Sequence, residues 1–266
     1  MCCEPKDTAV TEVLRDFPAV RAVAVEGGCG PGGSRNRGID AAVGEVLAFT
    51  DCDCIAEPAW LSRLVDRCRQ QGDSIVSGYL SAAGMGLPRR ASDFAELGIG
   101  RPRACCRING LCGGNFAVAA KVVATAGARF GERIYGAEEQ TLRYALSGQD
   151  VLLEPAAVVV HIRNDRLVTM LGRMYRLGAG SAITRLASPM RGSVLVRHRW
   201  LLPLLPAARL ALTAWRMRRC DLASIASFAL LWPLVLLNLV FYTAGFYRST
   251  AKLSRPASVA VSEASQ

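Results

Sequence analysis

The chain has 266 residues, of which 51% are hydrophobic, and it carries 32 Lys and Arg against 22 Asp and Glu. This length fits one full domain with an appendage and argues against two large domains. The net charge of +10 is unevenly placed, because residues 155–266 hold 15 basic and 3 acidic residues while residues 1–154 hold 17 and 19. We predict no nucleic-acid partner, since the positive charge flanks apolar segments and no aromatic residues alternate with it.

In chain order, the sequence alternates predicted helices and strands. The predicted helices cover residues 8–17 and 58–71, and a glycine-rich loop over residues 27–38 leads into another helix. The predicted strands cover residues 20–25, 46–50, 74–79, 116–118 and 151–161. Residues 81–112 are predicted to form a long irregular connection of the kind that carries substrate loops. This alternation predicts an α/β fold with a mostly parallel, largely buried sheet.

The C-terminal part contains two apolar runs. Leu222–Tyr247 has no charge over 26 positions, more than the roughly 20 needed to cross a hydrocarbon core. We interpret it as a transmembrane helix, with a buried core helix as the alternative. The shorter run Trp200–Trp215 contains Arg209 and fits either a helix in the membrane interface or half of a re-entrant hairpin. Arginines flank both runs, as they do on the cytoplasmic side of membranes.

The ten cysteines do not indicate a disulfide framework. No secretory signal opens the chain, and several cysteines are adjacent or one residue apart, which is typical of free thiols in a reducing cytoplasm. A structural zinc site is not predicted, because the sequence lacks two Cys-x-x-Cys pairs and its only histidines are His161 and His198. Most of the cysteines are predicted to be small buried apolar residues.

Two aspartates follow the predicted strand over residues 46–50. In open α/β sheets ligands bind outside the carboxyl ends of strands, where Asp51 and Asp53 fall. Their like charges repel unless a cation neutralises them, and Mg²⁺ or Mn²⁺ binds carboxylate oxygens while leaving positions open for phosphate oxygens. An Asp-x-Asp motif alone also fits a simple helix N-cap, so the neighbouring motifs decide between the two.

Those neighbours carry a family resemblance. The stretch GPGGSRNRGIDAAVGEVLAFTDCDCIAEPAWLSRLV holds a glycine-rich segment ending in Arg-Asn-x-Gly, an Ala-x-Gly-Glu turn, Asp-x-Asp and a Pro-x-Trp-Leu helix. LCGGNFAVAAKVV adds a Gly-Gly-Asn segment, and GAEEQTLRYALSGQDVLLEPAAVVVHIR adds an acidic pair before a helix and a strand that ends in histidine. In register over about residues 8–180, these motifs resemble the family-2 inverting glycosyltransferases.

The resemblance implies a GT-A fold, which is Rossmann-like with a mostly parallel sheet, and a divalent metal, Mg²⁺ or Mn²⁺. Asp51 and Asp53 would hold this metal on the diphosphate of a nucleotide-sugar donor. His161 would reach the metal or the diphosphate, or else serve as a packing residue at the strand end.

The resemblance also implies substrate contacts. Arg35 and Asn36 would lie beside the nucleotide. The Gly-Gly-Asn segment would line the cleft for the donor sugar and the acceptor, because its small residues allow close approach of the backbone; it comprises Gly113, Gly114 and Asn115. On the segment over residues 163–185, Arg173 and Arg176 either clamp a diphosphate or lipid head group or lie on a solvated basic helix at anionic lipid.

The acidic pair supplies the candidate general base. Glu139 occupies the family's aspartate position and would take the proton from the acceptor hydroxyl as that oxygen attacks the anomeric carbon. Glutamate is one methylene longer than aspartate, so Glu138 remains an alternative base. A purely structural reading treats both as first-turn acids favoured by the helix dipole.

One departure concerns the start of the chain. The family begins with a strand, a helix and a second strand that carry an aspartate for the nucleobase, whereas this chain begins MCCEPKDTAVTEVL. The resemblance therefore implies an N-terminally truncated GT-A fold that lacks this strand-helix-strand unit, which places the activity of the chain in question.

The predicted function is metal-assisted transfer of a sugar, with inversion, from a nucleotide-sugar to a saccharide or polyprenyl-linked acceptor. We predict a location at the inner or plasma membrane, in contact with membrane lipid, with the catalytic domain cytoplasmic. The alternatives are a non-catalytic membrane-anchored binding or assembly protein and a nucleotidyltransferase. The predicted segments are a GT-A-like core over 1–185, a basic juxtamembrane segment over 186–220, a transmembrane helix over 221–247 and a polar tail over 248–266.

Overall fold

The computed structural model describes residues 2–3, 8–25, 27–72, 74–82, 85–132, 137–162 and 166–253. The chain forms two compact units, of which the first comprises Met1–Ala83 with Arg101–Arg163 and the second Gly84–Gly100 with Asn164–Gln266. The second unit thus includes a segment from the middle of the sequence. The four segments predicted from the sequence stay a prediction, and most of the predicted polar tail lies outside the described residues.

The first unit contains all of the described strands. They are β1 (Cys2–Cys3), β2 (Val23–Ala24), β3 (Val46–Thr50), β4 (Cys54–Ala56), β5 (Ile75–Ser81), β6 (Cys106–Ile108), β7 (Asn115–Ala119) and β8 (Val151–His161). Its helices are α1 (Thr8–Arg15), α2 (Gly30–Ala41), α3 (Trp60–Gln71), α5 (Ala120–Thr125) and α6 (Glu138–Ala145).

The second unit is helical in its described part. It contains α4 (Leu87–Leu97), α7 (Leu167–Ala187), α8 (Val194–Arg197), α9 (Leu205–Arg216) and α10 (Leu222–Leu253), with 3-10 turns at Arg199–Leu204 and Met217–Arg219.

The first unit has an α/β fold, as predicted, but its main sheet is mixed. The strand order is β3-β7-β5-β8-β4, with β6 also paired to β8, and β1 and β2 form a separate parallel pair. Among the described pairs of the main sheet, β5 with β8 is parallel and the other four are antiparallel. The expectation of a mostly parallel sheet is therefore wrong in this respect.

The mixed pairing follows from where the chain re-enters the sheet. Strand β7 begins beside the carboxyl end of β3, with Asn115 opposite Thr50, and Phe116 lies opposite Ser77 of β5. A strand that starts at that edge has to run back along its neighbours, so it lies antiparallel between β3 and β5. Strand β8 then starts at the opposite edge, with Val151 opposite Ile75, and runs parallel to β5.

The core lies on both faces of this sheet. On one face Phe116, Phe130 and Leu142 are buried, and the ring of Phe49 stacks on that of Phe116 with centroids 4.5 Å apart. On the other face Leu64 of α3 is fully buried in a cluster with strand residues. Each such side chain contributes about 1.5–3 kcal/mol of transfer free energy, which fixes the strand ends that carry polar groups.

The glycine-rich segment predicted as a loop is largely helical, since α2 begins at Gly30. Pro31 stands in the first turn, where its missing N–H costs no helical hydrogen bond. A Cβ at Gly32 would lie 2.2 Å from the carbonyl oxygen of Gly131, closer than any real contact. The glycines therefore allow α2 to lie against residue 131, a packing role that composition alone does not reveal.

Residues 81–112, predicted to be irregular, contain helix α4 and strand β6. Helix α4 ends at Gly98, whose φ of 64° is the left-handed conformation that favours glycine. Its buried face carries Arg89, which forms an ion pair with Asp93 at 2.7 Å. Burial raises the pKa of Asp93 to about 7, although Arg89 acts in the opposite direction. Because Arg89 stands at a core-facing position, the sequence of α4 lacks the regular apolar spacing that predicts a helix.

Two helices of the second unit bear on the sequence predictions. Helix α7 is continuous, so Gly178 and Gly180 lie inside a helix. Helix α10 contains a stretch, Leu222–Ala251, with mean hydropathy 2.1, and it is long and apolar enough to cross a membrane. Length and composition alone support that crossing.

Candidate active site

Arg35 is the centre of one polar cluster in the first unit. It projects from α2 and donates one hydrogen bond to Asp51 Oδ1 at 2.6 Å and another to Glu138 Oε1 at 2.7 Å. Its guanidinium carbon lies 5.3 Å from the ring centroid of Phe130. Burial lowers the pKa of Arg35, but the two carboxylates outweigh it and raise the pKa above its ordinary value. Arg35 thus fixes the end of β3 to the start of α6.

The two predicted glycines border this cluster. A Cβ at Gly114 would lie 2.4 Å from Asp51 Oδ2, so any other residue would displace that carboxylate. A Cβ at Gly113 would lie 3.7 Å from the Cβ of Glu139. The predicted base is therefore beside the Gly-Gly turn, in a half-buried position, while Glu138 is buried and paired with Arg35. Both glutamates open α6, as the sequence suggested.

The two predicted asparagines point into the protein instead of into a cleft. Asn36 is 5% exposed and exchanges hydrogen bonds with the backbone of Phe130 through both its amide nitrogen and its amide oxygen. Asn115 is fully buried and accepts a hydrogen bond from Trp60 Nε1 at 2.7 Å. Its amide nitrogen donates to the carbonyl oxygens of Tyr79 and Ala157. Both side chains hold backbone in place, so the geometry does not support direct substrate contact by either.

A second cluster joins the end of β3 to the end of β8. Strand β4 pairs with β8 so that Cys54 lies opposite His161, and the N–H of Ile162 donates to the carbonyl oxygen of Asp53. This pairing places His161 Nε2 2.9 Å from Asp53 Oδ2. The ligand atoms of Asp53, Cys54 and His161 all lie within 4.8 Å of one another. Asp51 is turned away to Arg35, so the two aspartates of the Asp-x-Asp motif make different contacts.

The donor set of this second cluster fits a divalent cation. A carboxylate oxygen and an imidazole nitrogen both suit Mn²⁺, and oxygen suits Mg²⁺. The thiol of Cys54 adds a soft ligand that Zn²⁺ and Co²⁺ prefer. Asp53 and His161 are thus the residues placed to hold a hard metal ion, while Asp51 lies beside them at the same edge of the sheet.

Cys54 was missed by the sequence analysis, which treated the cysteines as mostly buried apolar residues. That expectation is wrong: of the described cysteine side chains, only Cys68, Cys112 and Cys220 are buried. Burial raises the pKa of Cys68 to about 11, which suppresses its reactivity. The position of Cys54 next to Asp53 was visible, but its approach to His161 depends on strand pairing.

The remaining predicted residues, Arg173 and Arg176, lie on α7 in the second unit. Arg173 forms an ion pair with Glu96 of α4 at 3.0 Å, and Arg176 is exposed. Their assignment to substrate stays a prediction.

Comparison with known structures identifies the class of fold. The mannosyltransferase PcManGT from Pyrobaculum calidifontis, solved in complex with GDP-Man and Mn²⁺, superposes with a TM-score of 0.54 over 94% of this chain and 74% of that one. The two are 17% identical in sequence, so the likeness shows the fold alone. The fold is that of the GT-A glycosyltransferases.

Sequence comparison then shows which proteins part of the chain is similar to. Residues 7–115 match the sequence model of Glycosyl transferase family 2. The succinoglycan biosynthesis protein ExoO of Rhizobium meliloti (strain 1021) is 34% identical over 97 residues, which are 36% of this chain and 28% of that protein. The match thus spans less than a third of this relative, and it confirms the resemblance drawn from the motifs.

The thiol of Cys54 gives a prediction about metal preference. We expect Cys54→Ser to abolish the thiolate-to-metal absorption band of Co²⁺-loaded protein and to weaken Zn²⁺ binding by at least about tenfold, since a soft ligand is lost. Mn²⁺ affinity, measured by electron paramagnetic resonance, should change by less than about threefold because Mn²⁺ depends on oxygen and nitrogen ligands. Cys52→Ser is the matched control, and retention of the band in Cys54→Ser would contradict the assignment.

Proposed function

We propose that this chain is a membrane-attached, metal-dependent glycosyltransferase that moves a sugar, with inversion, from a nucleotide-diphosphate donor to a hydroxyl of a saccharide or polyprenyl-linked acceptor. The observation that carries the proposal is the gathering of Asp53, His161, Asp51 and the acidic pair of α6 in the first unit. Asp51 and Asp53 lie within residues 7–115, which match the sequence model of Glycosyl transferase family 2.

The metal-binding residues in this proposal are Asp53 and His161. When bound, Mn²⁺ or Mg²⁺ supplies charge neutralisation to the departing nucleoside diphosphate. His161 is 5% exposed and held by strand pairing, so its imidazole is fixed in direction before any substrate arrives. The carboxylate of Asp53 lies beside this imidazole. The backbone of Asp53 is held in place because its carbonyl oxygen accepts a hydrogen bond from the N–H of Ile162. The structure of PcManGT in complex with GDP-Man and Mn²⁺ supports the choice of a divalent cation.

The general base in this proposal is Glu139. Glu138 is buried and is engaged by Arg35 at 2.7 Å, which holds its carboxyl group away from an acceptor. Glu139 is half-buried beside the Gly113–Gly114 turn, where an acceptor can approach the backbone closely. A single displacement with the base on the acceptor side, opposite the leaving diphosphate, inverts the anomeric centre.

The acceptor and the location are inferred from different features. ExoO is a succinoglycan biosynthesis protein, which supports a growing saccharide as acceptor. The stretch Leu222–Ala251 supports attachment to the inner or plasma membrane, and the arginines around it support a cytoplasmic position for the catalytic unit.

A donor panel tests the proposal. Purified full chain with Mn²⁺ should release nucleoside diphosphate from one class of nucleotide-sugar and give a product of inverted anomeric configuration by NMR. Asp53→Asn should lower this rate by about a hundredfold or more, because one metal ligand is lost. Asp66→Asn, an exposed acid on α3, should leave the rate unchanged. Release of pyrophosphate would instead identify a nucleotidyltransferase, and no turnover with any donor would favour a binding protein.

A further inference from the structure

We propose that α10 does not cross the membrane but lies along its surface, so that the second unit binds an anionic bilayer from one side. This inference rests on the membrane attachment in the proposed function and concerns how that attachment is made. Two features of α10 carry it, an apolar exposed stripe along its length and arginine contacts on its inner side.

The exposed positions of α10 fall on one side of the helix. They are separated by roughly whole helical turns and include Ala226, Leu230, Pro233, Val240, Phe241 and Ala244, which we call the outer stripe. Leu230 is 70% exposed and Val240 is 45% exposed. Residues at this spacing share a helix face, and this face holds no charge between Leu222 and Tyr247. A helix face of this kind in water would carry polar groups, so lipid is the medium it fits.

The opposite side of α10 packs on the rest of the second unit along its length. The buried positions include Phe228, Leu231, Val235, Leu239 and Phe246. Near its start, Arg90 of α4 donates a hydrogen bond to Ser227 Oγ at 2.6 Å. Nearer its end, the guanidinium carbon of Arg209 in α9 lies 4.5 Å from the ring centroid of Tyr242. One side of α10 is thus packed against protein along its length, with an arginine contact near each end.

These two arginine contacts conflict with a span. Ser227 and Tyr242 are 15 positions apart, or about 22 Å along a helix. A span needs about 20 residues across about 30 Å of hydrocarbon, and every stretch of that length within α10 includes one of the two contact positions. A crossing would therefore draw an arginine, together with the charged residues of α4, to hydrocarbon depth, where ionised groups are costly. A helix lying in the interface avoids this.

The charge around the outer stripe favours anionic lipid. Between residues 166 and 253 the chain has 13 Lys and Arg, and Asp221 is the sole acid. At the turn into α10, the exposed Arg218 and Arg219 lie 4.7 Å and 5.5 Å from the ring centroid of Trp215. Tryptophan and arginine are enriched where a protein contacts the lipid head groups of a membrane. Helices that lie in this interface typically have an apolar face bordered by basic residues.

Membrane topology decides between the two arrangements. Full chain carrying one epitope tag before Met1 and another after Gln266 is expressed, and sealed inside-out membrane vesicles are treated with protease. We expect both tags to be digested, because both ends stay on the cytoplasmic side. Protection of the C-terminal tag until detergent is added would show that α10 spans and would overturn the inference.

Vesicle binding tests the lipid assignment. Purified chain is mixed with vesicles of phosphatidylcholine alone or with added phosphatidylglycerol, and the bound fraction is measured by flotation. Arg218→Gln with Arg219→Gln should weaken binding to the anionic vesicles roughly thirtyfold, while the matched control Arg69→Gln binds as the parent does. Leu230→Glu should release the chain, and Leu61→Glu, on an exposed position of α3, should not.

Other outcomes are informative about different claims. Equal binding of parent and arginine variant to both vesicle types would overturn the lipid assignment. A dimer that Leu230→Glu dissociates, without vesicle binding, would assign the outer stripe to a second copy. Neither assay requires a sugar donor, so failure of glycosyl transfer would leave these results interpretable, and a spanning α10 would leave the proposed transfer intact.

Discussion

Replacing Glu139 by glutamine is expected to lower kcat by about a hundred- to ten-thousand-fold, because glutamine cannot accept the proton of the acceptor hydroxyl. The side chain keeps its size, so KM for the donor should change little. The acidic limb of the pH profile of kcat/KM should disappear with the base. Initial rates of nucleoside diphosphate release over a range of pH values measure both effects.

Glu138→Gln is the matched control for this prediction. It removes one of the two carboxylates that engage Arg35, so it should reduce stability by about 1–3 kcal/mol and leave the pH profile intact. Full activity of Glu139→Gln would show that Glu139 is not the base. Loss of the acidic pH limb in Glu138→Gln alone would assign the base to Glu138.

Alanine at Gly178 or Gly245 is expected to destabilise the second unit by about 3 kcal/mol, near the upper end of overpacking effects. The two glycines sit where α7 and α10 approach each other. A Cβ at Gly178 would lie 1.9 Å from the carbonyl oxygen of Tyr242, and a Cβ at Gly245 would lie 1.9 Å from that of Tyr175. Because both obstacles are backbone, relief requires the helices to separate. Thermal unfolding followed by circular dichroism should show a lower Tm for each variant.

Gly172→Ala on α7 supplies the matched comparison for these two variants. A Cβ there meets only the flexible end of Arg176 at 3.6 Å, an ordinary contact. This substitution should leave Tm unchanged or raise it, since alanine in a helix interior is favoured over glycine by roughly 0.5–1 kcal/mol. A parental Tm for Gly245→Ala would show that α7 and α10 do not pack through this pair.

The elements that the sequence located well are those whose patterns are local. The bounds of β3 and β8 match the predicted 46–50 and 151–161, because mostly apolar runs bounded by polar residues are typical of buried strands. Helix α4 was missed because its core face carries Arg89, whose burial depends on the ion pair with Asp93. The glycine-rich start of helix α2 is predicted as a loop because glycine is a poor helix former. The helix nevertheless contains glycine, because close packing leaves no room for a side chain at Gly32.

The site shows the same division. Motifs predict Asp51, Asp53, Glu139 and His161 as site residues, but they do not predict the contacts that these side chains make. The sequence treated the two aspartates as one metal pair, whereas Asp51 binds Arg35 and Asp53 lies against His161. Asn36 and Asn115 stand in the matching motifs, but their amides satisfy backbone groups in the interior. A motif gives residue type and order, and the direction of each side chain depends on the partners that surround it.

By itself, the sequence predicted the α/β class, the resemblance to family-2 glycosyltransferases and the candidate acidic residues, because these depend on apolar periodicity and on motifs that are contiguous along the chain. Only the tertiary structure decided which strands run antiparallel, that Cys54 joins Asp53 and His161, and that α10 has one packed and one exposed apolar side. Those features arise from contacts between residues far apart in the chain. The energies of these contacts depend on which apolar surfaces and charged groups pack together. Local sequence patterns do not specify that packing.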